Sequence, residues 1–129
     1  MITSADEFVR LRTSDEPQDY ARAASEEADD AVWLDVIQRY GEMRVWVAHN
    51  KTVPITILRV LASDGDPRVR GMVAMKRKLD AELFALLATD GDAGVRHSIA
   101  CNANAPRDVL TSLSMDEAGF VAEAAALRL

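Results

Sequence analysis

A 26-residue period runs through most of this chain and limits what it can fold into more than any single side chain does. From Met43 the units read MRVWVAHNKTVPITILRVLASDGDPR, VRGMVAMKRKLDAELFALLATDGDAG and VRHSIACNANAPRDVLTSLSMDEAGF, followed by a truncated VAEAAALRL. In this register Arg44, Arg70 and Arg96 superpose, as do Val47, Val73 and Ile99, and then Ala48, Ala74 and Ala100. The second halves match through Leu61, Leu87 and Leu113 and through Asp64, Asp90 and Asp116. Upstream the copying continues at a shorter spacing, with Ala24, Trp33, Val36 and Gly41 aligned to Ala48, Ile57, Val60 and Gly65. A period of this size marks stacked helical units, each unable to bury its apolar face alone.

Each unit reads as two short helices. In the unit from Asp66, Val69, Met72 and Val73 share one side at helical spacing, behind Asp66 as N-cap and Pro67 in the first turn. A break at 76–78 leads to Leu83, Leu86 and Leu87, spaced i, i+3, i+4, with Asp80 and Glu82 at the end where acids complement the helix dipole. Pro54 and Pro106 occupy the Asp80 position and are expected in a first turn. Gly65 and Gly91, each between two aspartates, are expected to stop the helix and turn the chain back. The repeated Asp-Gly-Asp lacks the further ligands and closing glutamate of a calcium loop, so it reads as capping. Ser4 with Glu7 forms a capping box before Phe8, Val9 and Leu11, and Ser14 with Pro17 opens a second helix through Tyr20 and Ala24. With no strand alternation, the expected fold is all-α.

The expected organisation is one domain over 1–129: a cap helix at 1–13, a divergent first repeat at 14–42, repeats at 43–68, 69–94 and 95–120, and a terminal half repeat at 121–129. Its 129 residues suit a single continuous core. No apolar run approaches the ~20 residues needed to span a bilayer, and Asp6 and Glu7 interrupt any secretory pattern, which gives a cytoplasmic expectation. The one cysteine, Cys101, excludes an internal disulfide and a thiolate cluster.

Net charge is −6, and its distribution is uneven. Residues 1–42 hold eleven acids and four bases, 43–79 two acids and eight bases, and 80–129 eight acids and three bases. An acidic chain repels phosphates at long range even where one strip attracts them, so the expected partner is a basic protein and not nucleic acid.

The order Val69-Arg70, Val73-Ala74, Leu83, Leu86-Leu87-Ala88 and Asp90, preceded by Val47-Ala48-His49-Asn50, Pro54, Leu58, Leu61-Ala62 and Asp64-Gly65-Asp66-Pro67, resembles HEAT-like repeats, in particular the leucine-rich repeat variant subtype. The match covers about two thirds of the chain. It implies a short right-handed α-α superhelix, a HEAT-like α-solenoid of about four helical hairpins with an N-terminal helical cap. The variant family's cysteine cluster for iron and sulfur is not matched, because Cys101 is alone, so no cofactor carries over. The resemblance also implies that Arg70 pairs with Asp64 or Asp66, and Arg96 with Asp90 or Asp92, as aspartates of the inter-repeat turns.

Catalytic patterns are not apparent: there is no serine elbow, phosphate-cradling glycine loop or nucleotide fingerprint. His97 and Cys101 stand i, i+4 on one helix, but no third ligand is spaced to complete a metal site, and the thiol is expected to be buried or half-buried. The candidates for partner contact are positions the repeat does not share. His49, Asn50 and Lys51 are expected to align with Met75, Lys76, Arg77 and Lys78, and then with Asn102 and Asn104, as a polar and locally basic ridge. Trp46, whose equivalents are Met72, Ser98 and Ala124, is the candidate aromatic contact, with packing against the first unit as its alternative role. Glu26, Glu27, Asp29 and Asp30 form an acidic surface.

The function expected from these features is non-catalytic protein–protein interaction, in its sharpest form an immunity or antitoxin-like role against a basic partner. Alternatives are a nucleic-acid-binding relative of HEAT-like DNA glycosylases, a pigment-binding relative of bilin lyases, and a self-assembling structural module.

Overall fold

The apolar and capping pattern produces short helices throughout the computed structural model, which describes residues 1–129. Apart from one isolated parallel bridge between Ile2 and Ala28, there is no strand pairing, and the protein is all-helical. The chain divides into two compact units, Met1–Leu61 and Ala62–Leu129.

In the first unit, Ser4 caps α1 (Ala5–Thr13) by accepting from the Glu7 amide, while the Glu7 carboxylate reaches back to the Thr3 amide. The Ser4 half of the predicted capping box forms, but Glu7 takes the amide of Thr3, one residue before the N-cap, in place of that of Ser4. Pro17 opens α2 (Pro17–Ser25), α3 spans Asp30–Arg39, and a single 3-10 turn at Gly41–Met43 leads into α4 (Arg44–His49) and α5 (Ile55–Leu61). Helix α1 packs on α2 and α3, α2 on α4, and α3 on α5. Phe8, Leu11, Trp33, Val36, Val47, Ile57 and Leu61 fill the core between them. Trp33, at the position that Ile57 takes in the next repeat, is fully buried with Phe8 edge-on to it at 5.2 Å, and its indole N–H meets no acceptor.

The second unit comprises α6 (Pro67–Ala74), α7 (Ala81–Ala88), α8 (Ala93–Ala100), α9 (Arg107–Leu113) and α10 (Gly119–Ala126). Helices α6, α8 and α10 pack in one row, and α7 packs on α9 in a second. Val73, Leu87, Ile99, Leu113 and Val121 lie between the rows, each burial contributing roughly 1.5–3 kcal/mol. Asp66, Asp80 and Asp92 cap α6, α7 and α8 by accepting from the amides of Arg68, Leu83 and Val95.

Four local expectations change. Gly65 and Gly91 do not turn the chain in the left-handed region, since no glycine has positive φ. The aspartate before each does that work instead: Asp64 and Asp90 accept from the amides of Asp66 and Asp92, folding the turn through a side chain. Pro106 stands at the N-cap of α9, outside the first turn, with extended backbone and its carbonyl accepting from Leu110. Leu86 is exposed, because α7 turns Leu83, Phe84 and Leu87 to the core and leaves Leu86 on the outer side.

The arginine pairing also differs from its expected form. Arg70 binds the Asp90 carboxylate through two nitrogens, at 2.8 and 3.1 Å, and donates to the Asp64 carbonyl at 2.8 Å. Arg96 repeats the arrangement with Asp116 and the Asp90 carbonyl at the same three distances. Each guanidinium thus ties the turn before it, through a backbone oxygen, to the turn after it, through a carboxylate. A planar fork suits this because it can engage both carboxylate oxygens and still have a donor left over.

Candidate functional site

Two neighbouring features of the first unit create its most distinctive surface. Helix α1 ends at Thr13, so Asp15 and Glu16 leave the helical path and do not meet Arg12 one turn back. Helix α4 carries Trp46, half-buried, and His49, exposed, on one side. The Arg12 guanidinium carbon lies 3.4 Å from the centre of the Trp46 ring, and His49 meets the same indole edge-on at 5.7 Å. Arg12, Tyr20, Ala21, Ala24, Trp46 and His49 line an open cleft of about 370 Å³. The arginine stacks on the indole and has no carboxylate or carbonyl partner, so its N–H edge is committed to nothing in the protein. Cation–π contact of this kind contributes ~0.5–2 kcal/mol according to exposure.

In the second unit, Met75, Arg77, His97, Ser98, Cys101, Asn102 and Ala103 line a cleft of about 310 Å³. The His97 ring packs against Phe120 at 5.4 Å, and the Cys101 sulfur lies 3.6 Å from its Nε2. Cys101 is exposed, contrary to the expected buried thiol, because it sits one residue beyond the end of α8. No three His, Cys, Asp or Glu side chains gather where a metal ion could be held.

Not every residue expected in the ridge is at the surface. Asn50 and Asn102, expected among its contact residues, are buried. The Asn50 amide nitrogen donates to the carbonyls of Ala23 and Glu26, and its oxygen accepts from Thr52. Asn102 does the same to Ala74 and Lys76, accepting from the Asn104 amide. A carboxamide provides both donor and acceptor, so one side chain satisfies carbonyls of one segment and the backbone of its own turn. Lys76 occupies the corresponding place in the intervening repeat and is half-buried, and burial lowers its pKa from the usual lysine range. Lys51, Arg77 and Lys78 are exposed, with Arg77 on the second cleft.

The acidic candidates separate in the same way. Glu26 is held by Arg22 and by the α-amino group of Met1, and these partners bring its pKa down to about 2. Asp30 accepts from the Thr56 hydroxyl at 2.9 Å. Glu27 and Asp29 are exposed.

Arg12 and Tyr20 were not legible as site residues in the sequence. An arginine followed by acids three and four residues later reads as an internally paired surface charge, and only the helix end at Thr13 removes that pairing. No helix is long and apolar enough to cross a membrane. Compared with protein-family models, curated proteins and solved structures, the chain matches none.

Proposed function

We propose that the chain is a non-catalytic protein-binding module built as a short HEAT-like α-solenoid. In this reading the repeated residues hold the stack, and the unrepeated ones at the Arg12–Trp46 cleft hold the partner. The two helix rows of the second unit and the identical Arg70 and Arg96 bridges support the architecture. The observation that carries the binding role is the cleft itself: an open surface where tryptophan, tyrosine and arginine meet. Tryptophan, tyrosine and arginine are the side chains that most often dominate binding energy at protein interfaces.

Affinity purification from the native cell, with the intact chain and Trp46→Ala as parallel baits, tests this. A partner is expected at near-equimolar amounts on the first bait and depleted at least tenfold on the second, with equal helical circular dichroism for both. Equal retention moves the contact away from the cleft. Recovery of no partner on either bait overturns the binding role.

A second reading, an immunity-like protein against a basic partner, draws on the net charge of −6 and the exposure of Glu27 and Asp29. Such a complex should associate more slowly as salt rises, because screening removes the steering field. Association that is insensitive to salt, with no loss on Glu27→Gln plus Asp29→Asn, argues against it.

A further inference from the structure

We infer that the Arg12–Trp46 cleft receives a carboxylate side chain flanked by an apolar one, presented by an acidic segment of a partner protein. This rests on the protein-binding reading above and gives the occupant of the cleft a chemistry.

The first argument is what other half-buried arginines do. Arg22 is bound by Glu26, Arg70 by Asp90, Arg96 by Asp116, and Arg44 donates to the Ile37 carbonyl at 2.9 Å. Arg12 alone among them has an aromatic ring and no oxygen acceptor. The chain carries 21 acids against 15 lysines and arginines, so a scarcity of carboxylates does not explain this. An unpaired guanidinium held against a ring is a charge placed and oriented before any ligand arrives. Binding then costs less ordering of that side chain than a free surface arginine would require.

The second argument is the shape of the vacant edge. With one face on the indole, Arg12 retains N–H donors in a plane, and that fork matches the two oxygens of a carboxylate. The remaining walls are Ala21, Ala24, Tyr20, His49 and the exposed part of Trp46, and apart from the His49 ring and the Tyr20 hydroxyl they suit methylenes and a neighbouring apolar side chain. One fixed cation over an apolar floor favours a singly charged carboxylate over a phosphate dianion, which calls for a cluster of cations. The chain's net negative field weakens beyond about 8 Å at physiological salt, so local pairing decides the contact once it forms.

Selection of a random heptapeptide display library on the immobilised full chain tests the inference, with Arg12→Gln and Trp46→Ala baits run in parallel. Sequences with Asp or Glu beside an apolar residue are expected to be enriched on the intact chain. Remade as synthetic peptides, they should quench tryptophan emission saturably, bind Arg12→Gln at least tenfold more weakly, and bind Arg12→Lys with intermediate affinity. Circular dichroism of each variant checks that it is folded. Enrichment of Lys- and Arg-rich peptides that is lost on Trp46→Ala overturns the carboxylate assignment and leaves the protein-binding reading standing. Displacement of the selected peptides by millimolar inorganic phosphate overturns it in favour of a simple anion site. The same background on all three baits overturns both readings.

Discussion

The second unit and the first use the same side chain, arginine, in opposite ways. Arg70 and Arg96 lie largely out of water, and each is saturated: two bonds to a carboxylate and one to a carbonyl. Arg12 is saturated by nothing and rests on Trp46. The first kind of arginine ties successive turns together, and removing it leaves a largely buried carboxylate without its cation. The second kind leaves its hydrogen-bonding capacity facing a cleft. The difference shows that the number of charges in a segment says less about function than whether each has a partner already.

The largest expected effect is on stability. Arg70→Met should lower the thermal midpoint by on the order of 10 °C, because Asp90 stays in place without its partner. Arg12→Gln should lower it by no more than about 2 °C, since only a stacking contact is lost. Differential scanning calorimetry of the two variants breaks the comparison if their losses are equal.

A smaller effect appears on acidification. Burial opposes the charged form of Asp90, but Arg70 and the Asp92 amide outweigh it and hold the pKa below the ordinary 3.8. Asp116 is lowered chiefly by Arg96, with help from the Ala118 amide. Because both folded values are depressed, their stabilisation is complete above the unfolded aspartate value and is lost as pH falls below 3.8 through the folded values. Urea titrations of the intact chain should therefore show stability falling in that window, and Asp90→Asn with Asp116→Asn should flatten the fall while starting from a less stable protein. Unchanged slopes would show that the arginine bridges are not what the acid attacks.

The smallest effect sharpens how the turns are made. A Cβ at Gly91 meets nothing within 4 Å, and the backbone there is not left-handed, so Gly91→Ala should stabilise the second unit by about 0.5 kcal/mol through the unfolded chain. A loss of stability on equilibrium unfolding would return the turning role to the glycine.

Much of the helical fold was legible because periodicity reports packing directly. The positions Val73, Leu87, Ile99 and Leu113, which superpose in the repeat, are buried, and Asp66 and Asp80 cap the helices that follow them. Asn50 and Asn102 were misleading for a physical reason: an amide side chain looks like a surface group until carbonyls from another segment surround it, and sequence does not show that convergence. The arginine bridges were half legible. The residue types were right, but the carboxylate came from the turn ahead and not the turn behind, a choice made by how far the side chain reaches across packed helices. Of the cleft, Trp46 and His49 could be named from their departure from the repeat, whereas Arg12 and Tyr20 lie in segments distant in sequence and reach it only through packing.

The two tryptophans give the molecule a pair of separate optical gauges. Trp33 is sealed in the core with its indole N–H bonded to nothing, so its emission should be blue and should redden only when the first unit opens. Trp46 lies beneath a guanidinium at the cleft, where an arriving ligand changes its surroundings without disturbing the core. Occupancy and unfolding can thus be read from one unlabelled sample, at different colours of the same spectrum.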